Sequence, residues 1–536
     1  MGYIRSCLLT VVAGGISLGI GITQPRKFYP DDPIQADPKP ISVKEVKKVK
    51  IYDLYDYFYQ TGRQKPQTSR PAMGINTLGE VPDSAWFTNR HGRTRMTLDA
   101  LKRGAGDENA PLPPYVIVGA KTEGISPGFR MRDAKGRVYF VKPDPVTNPK
   151  LNTGADVLGS KFFHAIGYNT PENYFAKIRK SNWTVDKEAK ISLPDKIFRK
   201  MVKHDLYNIL ESASELPDGS YRVTASLAIL GKDLGPFRYE GTRSDDPNDI
   251  IPHEDRRDLR GLFVFCAWLN HTDAKAANSF NALVQDDGTA FIRHYLIDFG
   301  SAFGSDGDAA KDARLGHAYQ IPTAGAALKS LLGLGLYSPD WERAVYPKLK
   351  AVGRIESDVF DPERWKPNYP NPAFLHRRPD DEYWAAKIVM AFTDDDIRAL
   401  VETGEYGDPR VVDYLVTTLA QRRDKIGRTY LSKVLSLDNF RVGNGELFFE
   451  DLSVKYKFRP ALEYRISWSK LDNRSGALTP LPEETSFRLP RQITSAADGD
   501  YFAARIHGGS DERKSVTVYL RRKAAVHEIV GIERGW

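Results

Sequence analysis

The sequence predicts a mixed α+β protein: a strand-rich half, a helical half, and a C-terminal β-sandwich. Three observations carry this. From Tyr115 to about Ile229, short apolar or alternating runs are separated by turn residues. Beyond His253 the apolar spacing becomes mainly helical, interrupted by one hairpin pattern. After about Leu437 helical spacing stops. Residues 440–536 then alternate, as in Leu447-Phe-Phe, Tyr464-Arg-Ile-Ser-Trp468 and Ser515-Val-Thr-Val-Tyr-Leu520, the pattern of a small β-sandwich.

A chain of 536 residues leads one to expect two or three domains. The net charge of +8 is scattered, with no basic block interleaved with aromatics, so nucleic acid is not an indicated partner. The two cysteines, Cys7 and Cys266, form neither a disulfide framework nor a metal pair. Cys266, in the apolar run Leu262–Leu269, reads as a small buried residue.

Taken in order, residues 1–24 read as a signal peptide or N-terminal membrane anchor. Arg5 precedes an apolar run, Leu8 to Ile22, which is short for a spanning helix and suited to an export signal. No small-x-small cleavage site or lipid-accepting cysteine ends the run, so residues 8–22 are also read as a membrane tether. The expected location is exported or in the cell envelope, periplasmic or membrane-tethered. Residues 25–114 read as a linker, rich in Pro and Asp over 28–42, and an N-terminal extension that packs on the next domain.

Residues 115–437 form the central domain. Strands are expected at Tyr115–Gly119, Phe129–Arg132 and Val138–Val141, with Asp133-Ala-Lys-Gly136 as a turn. Gly154–Ile166 reads as a helix with Ala155, Leu158, Phe162 and Ile166 on one face and Gly167 at its end. Thr393-Asp-Asp-Asp396 caps a helix ending near Gly404, and Asp408-Pro409 opens another to about Ile426. Residues 438–536 are the β-sandwich.

The chemistry concentrates in Asn270-His-Thr-Asp273-Ala-Lys275-Ala-Ala-Asn278 and Leu296-Ile-Asp298-Phe-Gly300. These are the base and metal-ligand residue types that phosphoryl transfer needs. Ser279–Gln285 and Ala290–Ile297 read as paired strands around the turn Asp286-Asp287-Gly288. Asn278 and Asp298 are equally far from Gly288, so the hairpin brings both to its open end. Both offer hard oxygen atoms, which suit Mg²⁺ or Mn²⁺. Asp273 is the candidate base, and Lys275 can offset charge on the transferred group. Lys142, ending Val138-Tyr-Phe-Val-Lys142 on the face of Val138 and Phe140, is the candidate phosphate anchor.

The order Lys142, Asp273, Asn278, Asp298-Phe-Gly resembles the protein-kinase-like fold, with His271-Thr272-Asp273 similar to its His-Arg-Asp loop. Over residues 115–435 the chain resembles the HipA-type, CotH-type and phosphatidylinositol 3/4-kinase-like bacterial proteins. Its flanking text, Gly241–Asp249 and His253–Gly261, is similar to an uncharacterised exported branch. The resemblance implies a strand-rich N-lobe, a helical C-lobe, ATP as cofactor and a Glu on the helix after Lys142, where the best match is Asp156. It also implies a phosphate-cradling loop, in which Gly124 and Ser126 are the candidate contacts, although Gly119, Gly124 and Gly128 do not spell the usual glycine pattern. Thr272 replaces the usual Arg and no Ala-Pro-Glu follows Gly300, which argues against an ordinary protein kinase. Two readings stay open: an ATP- and metal-dependent phosphotransferase acting on an unknown protein or small-molecule hydroxyl, or an exported pseudokinase serving as a nucleotide-binding or non-catalytic envelope interaction protein.

The other candidates have plainer readings. The acidic loop Asp245–Asp249 reads as a solvated turn. His253, His294 and His317 lack zinc-ligand spacing, and no Gly-x-Ser-x-Gly supports a hydrolase.

Overall fold

A computed structural model describes residues 26–121, 127–193, 197–321, 339–482, 486–524 and 526–536. The signal or anchor segment, Gly124 and Ser126 lie outside the described residues. The chain is mixed α+β and divides into two compact units. The larger is Asp37–Gly74 with Asp83–Thr429; the smaller joins the chain up to Ala36, Ile75–Pro82 and Tyr430–Trp536.

In the larger unit, α1 (Asp53–Thr61) and α2 (Leu98–Arg103) precede β1 (Tyr115–Lys121), β2 (Gly128–Arg132) and β3 (Val138–Pro143). Then follow α3 (Leu151–Ile166), β4 (Asn173–Ile178), β5 (Trp183–Leu193), β6 (Ile197–Lys200), α4 (Lys203–Glu211) and β7 (Tyr221–Leu227). The strands form one sheet in the order β4-β7-β3-β2-β1-β5-β6. Alternation sends Tyr139 and Val141 of β3 into a core with Ile117, Met131, Ile191, Leu206 and Val223. Lys142 therefore emerges on the opposite face. Gly128 lies beside it: a Cβ there would come within 2.9 Å of the Val141 carbonyl oxygen.

The helical half is centred on α5 (Arg257–Leu269), every residue of which is buried. The text His253–Gly261 builds its anchor. Arg260 reaches Asp255 at 2.6 Å and Asp381 at 3.4 Å, and Arg257 reaches Asp381 at 3.0 Å. The acidic loop serves the same framework, with Asp249 bonded to His253 at 2.9 Å and Asp245 paired with Arg243 at 2.7 Å. His294 is a core residue, stacked 3.5 Å from Trp86 and bonded to Asn281. Cys266 is fully buried. Helices Asp394–Glu402, capped by Thr393 and Asp396, and Pro409–Leu431 complete this half.

The hairpin forms, shifted from the expected register. Its strands are β8 (Ser279–Asp286) and β9 (Thr289–Leu296), with Asp286 paired to Thr289 and Ser279 to Leu296. The turn is Asp287-Gly288 alone, both at positive φ, 44° and 73°, the two-residue geometry that follows strand twist. Asn278 thus stands opposite Ile297, whose N–H donates to its carbonyl at 3.1 Å, and Asp298 lies one residue beyond.

In the smaller unit, a five-stranded antiparallel sheet and the two-stranded ladder Leu437–Gly443/Glu446–Asp451 share one core, in which Leu437 and Leu447 join Trp468, Ile506, Val518 and Leu520. The stretch read as a linker divides between the units. Phe28 is buried with Leu471, Ala503, Tyr519 and Val530 of the smaller unit.

Candidate functional site

Asn270 ends α5 in the left-handed conformation, φ 48°. Its amide donates to the Arg354 carbonyl at 3.1 Å and its Oδ1 accepts from Trp365 at 3.0 Å. The chain leaves the helix there as the loop His271–Asn278. His271 is buried against Phe163 of α3 and Phe299, at centroid distances of 5.7 and 5.9 Å, and burial drops its pKa to about 3. Phe163 and Phe299 stack at 5.2 Å. This neutral aromatic cluster ties the loop, α3 and the Asp298-Phe-Gly triplet into one packed unit.

Three charged side chains meet above it. Lys142 Nζ donates to Asp298 Oδ1 at 2.6 Å and stands 4.0 Å from Asp156 Oδ2. Asp156 Oδ1 accepts the Phe299 N–H at 3.0 Å. Asp156 therefore acts on Lys142 and on the backbone that carries Asp298. The expected pairing of Lys142 with the α3 acid is looser than its contact with Asp298. Burial lowers the Lys142 pKa, but Asp298 and Asp156 outweigh it and hold the ammonium above the ordinary lysine range. The surroundings raise the Asp298 carboxyl, yet Lys142 holds it below its ordinary value. Burial raises Asp156 against the pull of Lys142.

The loop side is held by hydrogen bonds. Asn278 Nδ2 donates to Asp273 Oδ2 at 2.8 Å and to its carbonyl at 2.9 Å. Asp273 Oδ1 accepts from Asn368 at 3.1 Å and lies 3.3 Å from Lys275 Nζ. Lys275 also donates to Asp53 of α1 at 2.8 Å. Burial raises the Asp273 carboxyl, opposed by Lys275. A carboxylate brought nearer to neutrality while still partnered is suited to taking up a proton.

Asn278 has its amide committed to Asp273, so Oδ1 is the atom it can offer a cation. Asp298 supplies a carboxylate. Among the described residues no group of three or more His, Cys, Asp or Glu forms a metal-ligand cluster. Two hard oxygen donors fit Mg²⁺ or Mn²⁺, which fill the remaining positions with water and phosphate.

Sequence reasoning missed three side chains. Asp53 and Asn368 come from segments with no motif of their own. Lys311, 1% exposed, donates to Thr272 Oγ1 at 2.6 Å and to the Ser301 carbonyl at 2.7 Å. It pins the loop to the segment after Gly300. Burial lowers its pKa to about 8, the Asp306 and Asp273 carboxylates only partly opposing this. Its signal was Thr272: a hydroxyl in place of the usual Arg leaves room for another cation.

No protein-family model and no curated protein matches the chain. Among solved structures, it is similar to the Helicobacter pylori proinflammatory kinase CtkA at 12% identity and a TM-score of 0.31, over 57% of this chain and 94% of that one. It is also similar to the Golgi casein kinase with Mn/ADP bound, at 12% identity and a TM-score of 0.26, over 61% of this chain and 75% of that one. A second Golgi casein kinase structure gives 11% identity and a TM-score of 0.27, over 63% of this chain and 76% of that one. Likenesses at these TM-scores carry no weight for the site, whose reading rests on the contacts above.

Proposed function

We propose that the larger unit is an atypical, two-lobed kinase-like domain that transfers a phosphoryl group from ATP to a hydroxyl on an unknown protein or small molecule. The observation that carries this is the Lys142 ammonium, 2.6 Å from Asp298 and 4.0 Å from Asp156, on residues brought from a strand, a hairpin end and a helix. A protein that needed only a salt bridge would not require Asp273, Asn278 and Lys275 beside it on one loop.

Lys142 holds the nucleotide phosphates, with Asp156 positioning it. Asp298 and Asn278 would hold Mg²⁺ or Mn²⁺, which supplies charge neutralisation on the phosphates when bound. Asp273 accepts the proton of the attacking hydroxyl at its carboxylate, and Asn278 and Asn368 orient that carboxylate. Lys275 offsets negative charge beside it. The apolar run Leu8–Ile22 supports export or tethering at the cell envelope, with the C-terminal β-rich unit, read as a sandwich, as an interaction module.

The test is single-turnover transfer from ATP labelled at the α or γ phosphate, with Mg²⁺ or Mn²⁺. The expected result is γ-label transfer by wild type and a loss of about 10²-fold or more in Asp298→Ala. α-label transfer would make the enzyme a nucleotidyl transferase. A nucleotide-dependent thermal shift without turnover would favour the pseudokinase. Absence of both transfer and a nucleotide-dependent shift would sink the reading.

A further inference from the structure

Helix α1 is built inside out. Asp56 and Gln60, 4% and 5% exposed, face the protein, where Tyr369 Oη donates to Asp56 at 3.3 Å and Gln60 Nε2 to Glu240 at 3.3 Å. Asp53 turns the same way to meet Lys275. Leu54, Tyr55, Phe58 and Tyr59 point outward, 70%, 68%, 62% and 51% exposed. At about 100° per residue these four fill an arc of about 140° opposite the polar one. A surface helix of a globular protein has the reverse arrangement. The Tyr55 and Tyr59 rings stack at 6.2 Å, so the face is a continuous apolar plate. Contiguous exposed patches of this kind mark interaction surfaces.

Charge selects the occupant. The stretch leading into α1, Val43-Lys-Glu-Val-Lys-Lys-Val-Lys-Ile51, exposes Lys44, Lys47 and Lys50, none of which makes an ion pair among the described residues. Only Lys48 is paired there, with Asp233 at 2.5 Å. Exposed Tyr, Phe and Leu on a helix preceded in sequence by unpaired lysines suit the boundary between acyl chains and anionic headgroups. We propose that α1 and the lysines before it dock on an anionic membrane surface. The apolar run Leu8–Ile22, about thirty residues upstream, would hold the chain at the same surface. Through the Asp53–Lys275 contact, docking presents the candidate site to the bilayer; this last consequence, and it alone, rests on the phosphotransfer reading.

The test uses the full chain with Cys7→Ser and Tyr59→Cys, Cys266 being buried, labelled with a polarity-sensitive dye. Arg410→Cys serves as the control position. The expected result is a blue shift at position 59, and none at 410, on vesicles of phosphatidylcholine with phosphatidylglycerol. The shift should be lost in Leu54→Ser/Phe58→Ser, and should weaken in high salt and in the Lys44→Gln/Lys47→Gln/Lys50→Gln variant. Apart from Cys7→Ser, a near-isosteric change, these substitutions are at exposed positions, so folding is preserved and turnover is not needed for the readout. No shift on vesicles, or one indifferent to lipid charge and to the lysines, overturns the proposal. A lipid-independent shift that grows with protein concentration overturns it in favour of a second copy of the chain.

Discussion

Lys142 and Lys311 are two ammonium groups removed from water, and their surroundings treat them oppositely. Lys142, its side chain 20% exposed, has two carboxylates within 4.0 Å. Lys311, 1% exposed, has a hydroxyl and a backbone carbonyl as its direct partners. Desolvation acts first on both. Carboxylates reverse it for Lys142, which is held above its ordinary range, while for Lys311 desolvation prevails over the Asp306 and Asp273 carboxylates and leaves it at about 8. The lesson is one of division of labour. In the proposed reading, full charge is retained where phosphates would be held, and a weaker, titratable contact suffices where one loop is fastened to another.

The contrast is broken most sharply at Lys142. Lys142→Met should lower single-turnover transfer by about 10²- to 10³-fold, whereas Lys311→Met, which touches no substrate in this reading, should cost less than a tenth of that. Equal losses in the two variants would erase the distinction. A second, smaller effect reaches the Lys142 centre from behind. A Cβ on Gly159 of α3 would lie 2.5 Å from Phe299 Cβ, and the Phe299 N–H is bonded to Asp156. Gly159→Ala should destabilise the unit by about 1–3 kcal/mol, read by urea unfolding, and weaken the nucleotide-dependent thermal shift. An unchanged shift would separate the aromatic packing from the charged triad.

The third effect belongs to Lys311 and appears only as a slope. Its folded pKa of about 8 lies below the ordinary lysine value of 10.5. Between these values the unfolded chain binds more protons than the folded one. Stability from this group therefore rises with pH over that window, and is lost as pH falls through 8. Measured against Lys311→Met, wild type should gain about 1–3 kcal/mol from pH 8 to 10.5. A flat difference would show that the ammonium is not desolvated as its position implies.

Much of this arrangement could be read locally. The strand ending at Lys142, the helix of Asp156 and the loop Asn270–Asn278 each carry their own periodicity or punctuation, and the structure brings Lys142, Asp156 and Asp298 together. Asp273, Lys275 and Asn278 likewise meet on their loop. What escaped is non-local. Asp53, Asn368 and Lys311 reach the site from segments whose own pattern says nothing of it, because tertiary packing alone decides their neighbours. The hairpin register slipped for a different reason. Asp286-Asp287-Gly288 offers two turn-forming acids, and only strand twist selects Asp287-Gly288 over the longer turn. Helix α1 carries an aromatic-rich sequence, Asp53-Leu-Tyr-Asp-Tyr-Phe-Tyr59, but its reversed orientation requires knowing that Asp53, Asp56 and Gln60 have partners inside.

The hairpin also bears on how this chain can change over generations. Eight paired rungs, from Asp286–Thr289 to Ser279–Leu296, separate its turn from the ends that carry Asn278 and Asp298, roughly 25 Å, and the turn touches none of the site's chemistry. Composition there can vary only among residues that accept positive φ, chiefly Gly, Asn and Asp, and length cannot vary at all. Inserting or deleting one residue would slide one arm past the other and turn each of its side chains to the opposite face. The turn is thus a place where exchanges among Gly, Asn and Asp leave the site untouched and a single-residue indel is felt at the far end, so descendants of this sequence should keep turn-forming letters there and agree in number.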